Sequence, residues 1–409
     1  MRQGERFDTT EIDMNHPRSG ASRRKKRKET KERRVPRWVF RVIFILFLSV
    51  AGVLLWFNRN NLTPANLLEW VQTQAVGLGI GDGYPYSIAG STVSSGNFRS
   101  VNHEIFMLRD TELTVLNSTA KELISRPHSF SKPVLKVGGL RSLIYNLGGK
   151  GYQIESQSGT LAKGNAENNI LAGAIAQNGR YALITQADGY FGCLTAYSAK
   201  KEVLFHYWFS DYYPTAAALN ADGTGAVVTA VSAKNGGLTS AVYLIDFGST
   251  KAVEPIAVYS ENMLTDVSWA DNGTAVVVGD RMASVIQTST RKKTDYDYQG
   301  LLLSAYDMDA GRAALALTPY RGAAQTTLAV LDSSGKTTSV QLKQAVSSVS
   351  LYGDCAAALS GSQVLFYSAS TGTRLGACDA GSDAKAIALG GEQSVYILGV
   401  SEVRSASAK

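Results

Sequence analysis

The chain has 409 residues, 44% hydrophobic and 18% charged, with a formal net charge of +7. That charge belongs to residues 1–37, which hold 13 Lys and Arg against six Asp and Glu, so residues 38–409 balance to zero. A neutral body lacks the clustered positive footprint of a nucleic-acid-binding surface, and no nucleic-acid partner is expected.

The first predicted element is a basic tail, residues 1–37, containing "RRKKRKETKERR". It is followed by "WVFRVIFILFLSVAGVLLWF", Trp38 to Phe57. Twenty helical residues span roughly the 30 Å hydrocarbon core of a bilayer. The single charge in this run, Arg41, lies near the basic end, where it can snorkel, and Trp38, Trp56 and Phe57 lie at the edges, where aromatic rings favour headgroups. "LLWFNRNN" offers no small-residue cleavage site, so residues 38–57 are predicted to be an uncleaved signal anchor in the lipid bilayer. The positive flank places the tail in the cytoplasm and everything after Asn58 outside the cell membrane. Attraction of the tail to anionic lipid would add about 1 kcal/mol per basic residue near the surface.

Residues 58–83 read as a stem helix and a glycine-rich joint. Thr63 can cap the helix with Pro64 at its first position, and Leu67, Leu68 and Val71 share a face. "GLGIGDG" lacks the third glycine of a dinucleotide fingerprint in either register.

From residue 84 onward the sequence repeats. Apolar runs flank polar turns near residues 117, 157, 198, 248, 289, 333 and 370, at spacings of 40, 41, 50, 41, 44 and 37. A second turn series interleaves: Asn178-Gly179, Asp222-Gly223, Asn272-Gly273 and Ala310-Gly311. Asn-Gly and Asp-Gly between apolar runs are strong hairpin signals. Two hairpins per period of about 42 residues make a four-stranded antiparallel sheet, and its repetition predicts an all-β fold, a β-propeller over residues 84–409.

Innermost strands are predicted to start near Phe98, Val134, Asn169, Thr215, Leu264, Gly300, Val346 and Ala384, which favours eight blades over seven. Their small apolar residues suit convergence on a narrow axis. The last unit ends at "SEVRSASAK" without an outer strand, and an open strand edge invites aggregation. "YPYSIAGSTV", Tyr84 to Val93, is predicted to supply the missing strand and close the ring.

Some motifs resolve into turn chemistry. Gly335-Lys336-Thr337 resembles the end of a phosphate loop, but Val330 stands where its first glycine belongs and a strand is predicted after it. Asp222, Asp307 and Asp309 resemble part of a calcium loop but lack the acidic residue at its twelfth position.

"LTPANLLEWVQ", "GIGDGYPYSI", "NFRSV" and "HSFSKPVLKV", behind a basic tail and an anchor, resemble an uncharacterised family of bacterial single-pass membrane proteins. That family carries a domain of unknown function and is known mainly from Gram-positive Firmicutes. The resemblance implies a membrane-bound, propeller-like ectodomain and supplies no activity.

No catalytic set, metal site or cofactor is predicted. His16, His103, His128 and His206 stand singly, and neither HExxH nor G-x-S-x-G occurs. Cys193, Cys355 and Cys378 are too scattered for a disulfide framework. Pairing of Cys355 with Cys378 stays open beside three unpaired core cysteines, the preferred reading. A cofactor in the central channel would need clustered charges on inner strands, which read as Ala, Leu and Val. The recognition candidates are therefore aromatic. Tyr212 and Tyr213 with Asp211, and Tyr296 and Tyr298 with Asp295 and Asp297, lie in predicted inter-blade loops that emerge on one face. They could form a rim for an extracytoplasmic protein or polysaccharide. The alternative is that the rings wedge between blades. The function expected is a binding or scaffolding module at the cell envelope, with a channel-cofactor enzyme or an envelope sensor as alternatives.

Overall fold

The repeating hairpins fold into eight four-stranded antiparallel sheets in the computed structural model, which describes residues 41–42, 44–49, 79–234, 236–271 and 273–409. Blades 1 to 7 occupy residues 93–127, 133–165, 170–209, 213–260, 264–297, 302–342 and 348–379. Blade 8 combines residues 386–407 with Tyr86–Ser87. Within each blade the chain runs from the innermost strand outward. Crossovers between blades and the connections from second to third strand therefore share one face, called here the crossover face. The inner hairpin turns and the third-to-outer turns share the other.

Alternation along each strand holds the blades together. In the second strand of blade 4, Ala226, Val228 and Ala230 pack toward blade 3, while Val227 between them packs toward blade 5. Eight such buried clusters occur among the described residues, one at each junction of neighbouring blades. Each fully buried Val or Leu contributes roughly 1.5–3 kcal/mol, and period-2 patterning places one on both faces of the sheet. Near the axis the side chains must be small. A Cβ added to Gly173, in the inner strand Ile170–Ile175, would come within 3.0 Å of Leu143 and 3.1 Å of Tyr145.

The ring closes as expected. Tyr86 pairs with Val403 and Ser87 with Glu402, so residues from the start of the domain complete the blade that its end begins. The closing strand is only Tyr86–Ser87, because the first inner strand starts at Val93 rather than near Phe98. "SSG" at 94–96 bulges from the ladder, whose register jumps between Val93 and Phe98. The chain enters beside the third-to-outer turn of blade 1, where Gly81 N donates to Thr119 Oγ1 (2.9 Å) and Tyr84 Oη to the Asn117 carbonyl (3.0 Å).

All three cysteines are free. Cys355 lies on the second strand of blade 7 and Cys378 on its outer strand, with Gln363–Ser368 between them. Two strand spacings, about 9–10 Å, exceed the reach of a disulfide.

Gly335 is a hairpin residue. Asp332 Oδ1 accepts from the amides of Ser334 (2.8 Å) and Lys336 (2.9 Å), Gly335 has φ +88°, and the strand Thr337–Leu342 follows. This is an Asx turn, and no helix N-terminus faces a phosphate here.

Of the expected anchor, Arg41–Val42 and Phe44–Ser49 are helical, with Phe44 to Leu48 exposing their apolar side chains. The rest of residues 38–57, the tail and the stem as far as residue 78 lie outside the described residues. Among the described residues no helix is long and apolar enough to cross a membrane.

Candidate functional site

The seven aromatic and acidic residues expected at a rim divide between two junctions. Asp211, Tyr212 and Tyr213 lie where blade 3 passes to blade 4, and Asp295 to Tyr298 where blade 5 passes to blade 6. The crossover from blade 4 to blade 5 separates them, so they do not make one rim. Tyr212 is only 4% exposed. Its ring meets Tyr243 edge-on at 6.1 Å and carries Lys234 Nζ 4.8 Å above it, a cation–π contact. Tyr298 is buried in the blade 5–6 cluster, and its hydroxyl donates to the Gly279 carbonyl at 3.1 Å. Burial pushes that phenol well above its usual range. Tyr296 is half-buried against the same cluster. The reason is geometric: a crossover carries the chain from the periphery back to the axis, and residues just before the inner strand fall into the seam.

The carboxylates are engaged locally. Asp295 accepts from Ser284 Oγ (2.6 Å) and pairs with Lys293 (2.8 Å). Asp297 accepts from the Gln299 amide (2.7 Å), and Asp211 from Ser210 Oγ (3.2 Å).

Of the four tyrosines, Tyr213 stays open, and it belongs to a different constellation. Its ring is 54% exposed and lies 4.3 Å from that of Phe191. Tyr190, next to Phe191 in the chain, meets Trp208 of blade 3, each about half exposed, with ring centroids 6.4 Å apart, and His206 stacks on Trp208 at 5.3 Å. The strand Val203–Phe209 explains the grouping. Phe205, Tyr207 and Phe209 turn inward toward blade 4, which leaves Leu204, His206 and Trp208 on the outside. Cross-strand pairing sets His206 against Thr195 and Trp208 against Cys193, and the Thr195 hydroxyl meets His206 Nδ1 at 3.1 Å. The result is an aromatic band where the crossover face meets the side of blade 3. "FHYWFSDYYP" reads as a loop in the sequence, and the overlooked signal is the strand-forming composition of Val203 to Phe209, rich in aromatic residues.

A second constellation was not expected at all. Inner strands of non-adjacent blades meet across the axis through charge. Arg99 of blade 1 reaches Asp307 of blade 6 at 2.9 Å, and Lys136 of blade 2 reaches Asp266 of blade 5 at 3.5 Å. The Tyr306 hydroxyl donates to Asp266 Oδ2 (3.2 Å), and Asp307 Oδ2 also accepts from the Leu351 amide (2.9 Å) and Ser350 Oγ (3.3 Å). Burial, reinforced by Asp266, keeps the Tyr306 proton in place. Two cations and two anions thus cancel in the channel, and the calcium-loop resemblance of Asp307 and Asp309 dissolves into ion pairs with Arg99 and Arg312. The charges are few and confined to the inner strands of blades 1, 2, 5 and 6, while those of blades 3, 4, 7 and 8 have none, which is why the expectation of apolar inner strands misses the network. Among the described residues no group of three or more His, Cys, Asp or Glu is placed to hold a metal ion.

Residues 85–405 match DUF5711, a family of unknown function. The chain belongs to this family. A comparison with curated proteins finds no match. Among solved structures, Sqt1 of Saccharomyces cerevisiae is 11% identical, covering 79% of this chain and 98% of its own, with a TM-score of 0.52. The β-propeller domain of Myceliophteria thermophila Cps50 (Swd1) is 10% identical over 68% of this chain and 98% of its own, TM-score 0.44. AztD of Citrobacter koseri is 10% identical over 69% and 86%, TM-score 0.44. At such identities the likeness is one of fold alone, and the propeller is read from the eight four-stranded sheets of this chain.

Proposed function

We propose that this protein is a membrane-anchored binding or scaffolding module whose propeller meets a protein or polysaccharide of the cell envelope. The anchoring half of the reading is supported by the apolar run 38–57 behind a basic tail, and by the exposed apolar surface of Phe44 to Leu48. A Gram-positive bacterial origin is supported by the family resemblance alone.

The observation that carries the binding half is the exposed band of Tyr190, Trp208 and Tyr213 on a body of zero net charge. Large rings open to solvent and flanked by polar groups are the composition of contact surfaces, and monomeric domains seldom leave such rings adjacent. A cofactor seated in the channel would instead have to displace two cross-ring ion pairs. In the test, the full-length protein is cross-linked in intact cells and recovered, as wild type and with Tyr190, Trp208 and Tyr213 all changed to Ala. Loss of a specific cross-linked partner at unchanged melting temperature supports the reading. An unchanged partner profile sinks it.

A further inference from the structure

The connection between the second and third strands is two to four residues long in seven blades and seven, 319–325, in blade 6. A hairpin closes with two residues, so topology does not require the extra length. Loops held out from a rigid scaffold are where binding residues concentrate. Here the insertion reads "PYRGAAQ". Buried Ala323 pins it to the blade, the Ala323 amide donates to the Tyr320 carbonyl at 3.1 Å, and Tyr320 stands 64% exposed. Arg321 is exposed and has no hydrogen-bonding or ionic partner among the described residues.

This loop walls a cleft of about 560 Å³ on the crossover face, between the inner ends of blades 5 and 6 and the start of blade 7. That size falls within the range of small-molecule sites, roughly 300–1,000 Å³. The chemistry of the walls is directional. Thr265 Oγ1 donates its proton to the Val278 carbonyl (3.1 Å) and Ser304 Oγ to that of Ala316 (3.0 Å). Toward a ligand both hydroxyls can therefore only accept. Asp280 is fixed by a reciprocal pair with Met263: its Oδ1 accepts the Met263 amide at 2.7 Å and its own amide donates to the Met263 carbonyl at 3.1 Å, which leaves Oδ2 for a donor. The same cleft is lined by Arg321 and by the apolar Leu303 and Val346.

We propose that the cleft binds a small zwitterion, an amino acid or short peptide with both termini free. The ammonium sits against Asp280, Thr265 and Ser304, the carboxylate on Arg321, and a small apolar side chain against Leu303 and Val346. An ammonium supplies three donors to an acceptor-only wall, and the guanidinium fork matches a carboxylate in two parallel bonds. The site is separate from the aromatic band, whose Tyr190 and Trp208 lie on blade 3 and whose Tyr213 starts blade 4.

The test is calorimetric titration of the full-length protein in detergent with dialanine and dileucine, each compared with its N-acetylated and C-amidated forms. At least one free dipeptide is expected to bind at about millimolar affinity or better. Blocking either end should weaken it about tenfold or more. Arg321→Ala should cause a similar loss and remove the penalty of amidation, and Asp280→Asn should remove the penalty of acetylation. The triple alanine variant of the aromatic band should bind dipeptide as wild type does, so this inference and the proposed function fail separately. The melting temperature of each variant shows that it is folded. No binding by either free dipeptide, equal binding of free and blocked forms, or undiminished binding by Arg321→Ala would overturn the proposal.

Discussion

Arg99 and Asp307 stand 208 positions apart in the chain and 2.9 Å apart across the axis of the ring. Their two contributions differ. Arg99 is 40% exposed, and an open ion pair is worth about 0–1 kcal/mol. Asp307 is 15% exposed and also accepts from the Leu351 amide, which loses its partner if the carboxylate is removed. Urea unfolding should give a loss below about 1 kcal/mol for Arg99→Ala and about 1–3 kcal/mol for Asp307→Ala. Equal losses would show that the cross-axis pair itself, rather than the anchoring of Asp307, dominates.

Tyr298 and Trp208 represent the two fates of the aromatic residues. Tyr298→Ala empties a filled seam and should cost about 3–5 kcal/mol, whereas Tyr298→Phe loses one hydrogen bond, about 1 kcal/mol. Trp208→Ala removes a ring that lies half in water and should shift stability by no more than about 1 kcal/mol. Thermal melts should place Tyr298→Ala well below the other two, and a fall of similar size for Trp208→Ala contradicts the described packing.

His128 predicts a pH dependence. It is 8% exposed, its Nδ1 accepts from the Phe130 amide (3.2 Å), and its Nε2 lies 3.0 Å from the Arg109 carbonyl. This pattern requires a neutral ring with the proton on Nε2. Burial pulls its pKa below the usual imidazole value of 6.5, outweighing the Arg109 carbonyl and Asp110, which act to raise it. The unfolded chain therefore takes up the proton first as the pH falls. The His128 contribution is whole above pH 6.5 and is lost as the pH drops from there to the folded pKa. Stability measured across that interval should decline with acid in the wild type and less steeply in His128→Gln.

Gly335 tests the turn that mimics a phosphate loop. At φ +88° an L side chain is strained, and a Cβ there would lie 2.5 Å from Thr294 of the neighbouring blade. Gly335→Ala should cost about 1–3 kcal/mol. ATP added at millimolar concentration should raise the melting temperature of neither protein, and a rise in the wild type would revive the nucleotide reading.

The propeller fold, the strand order and the closing of the last blade by the first residues follow from the sequence alone, and eight blades over seven is favoured by it. Each rests on local chemistry: glycine and Asx turns at a period of about 42 residues, apolar alternation between them, and an edge that must be paired. Whether Tyr212 is a wedge and Tyr213 is open was decided only by the tertiary structure, although they are consecutive. Tyr212 is the last crossover residue before the strand Tyr213–Leu219, and the seam between blades takes in the first ring and leaves the second outside. The axial ion pairs were equally out of reach. Arg99, Lys136, Asp266 and Asp307 lie on four different inner strands, and only the closure of the ring brings charges from distant blades to a common axis.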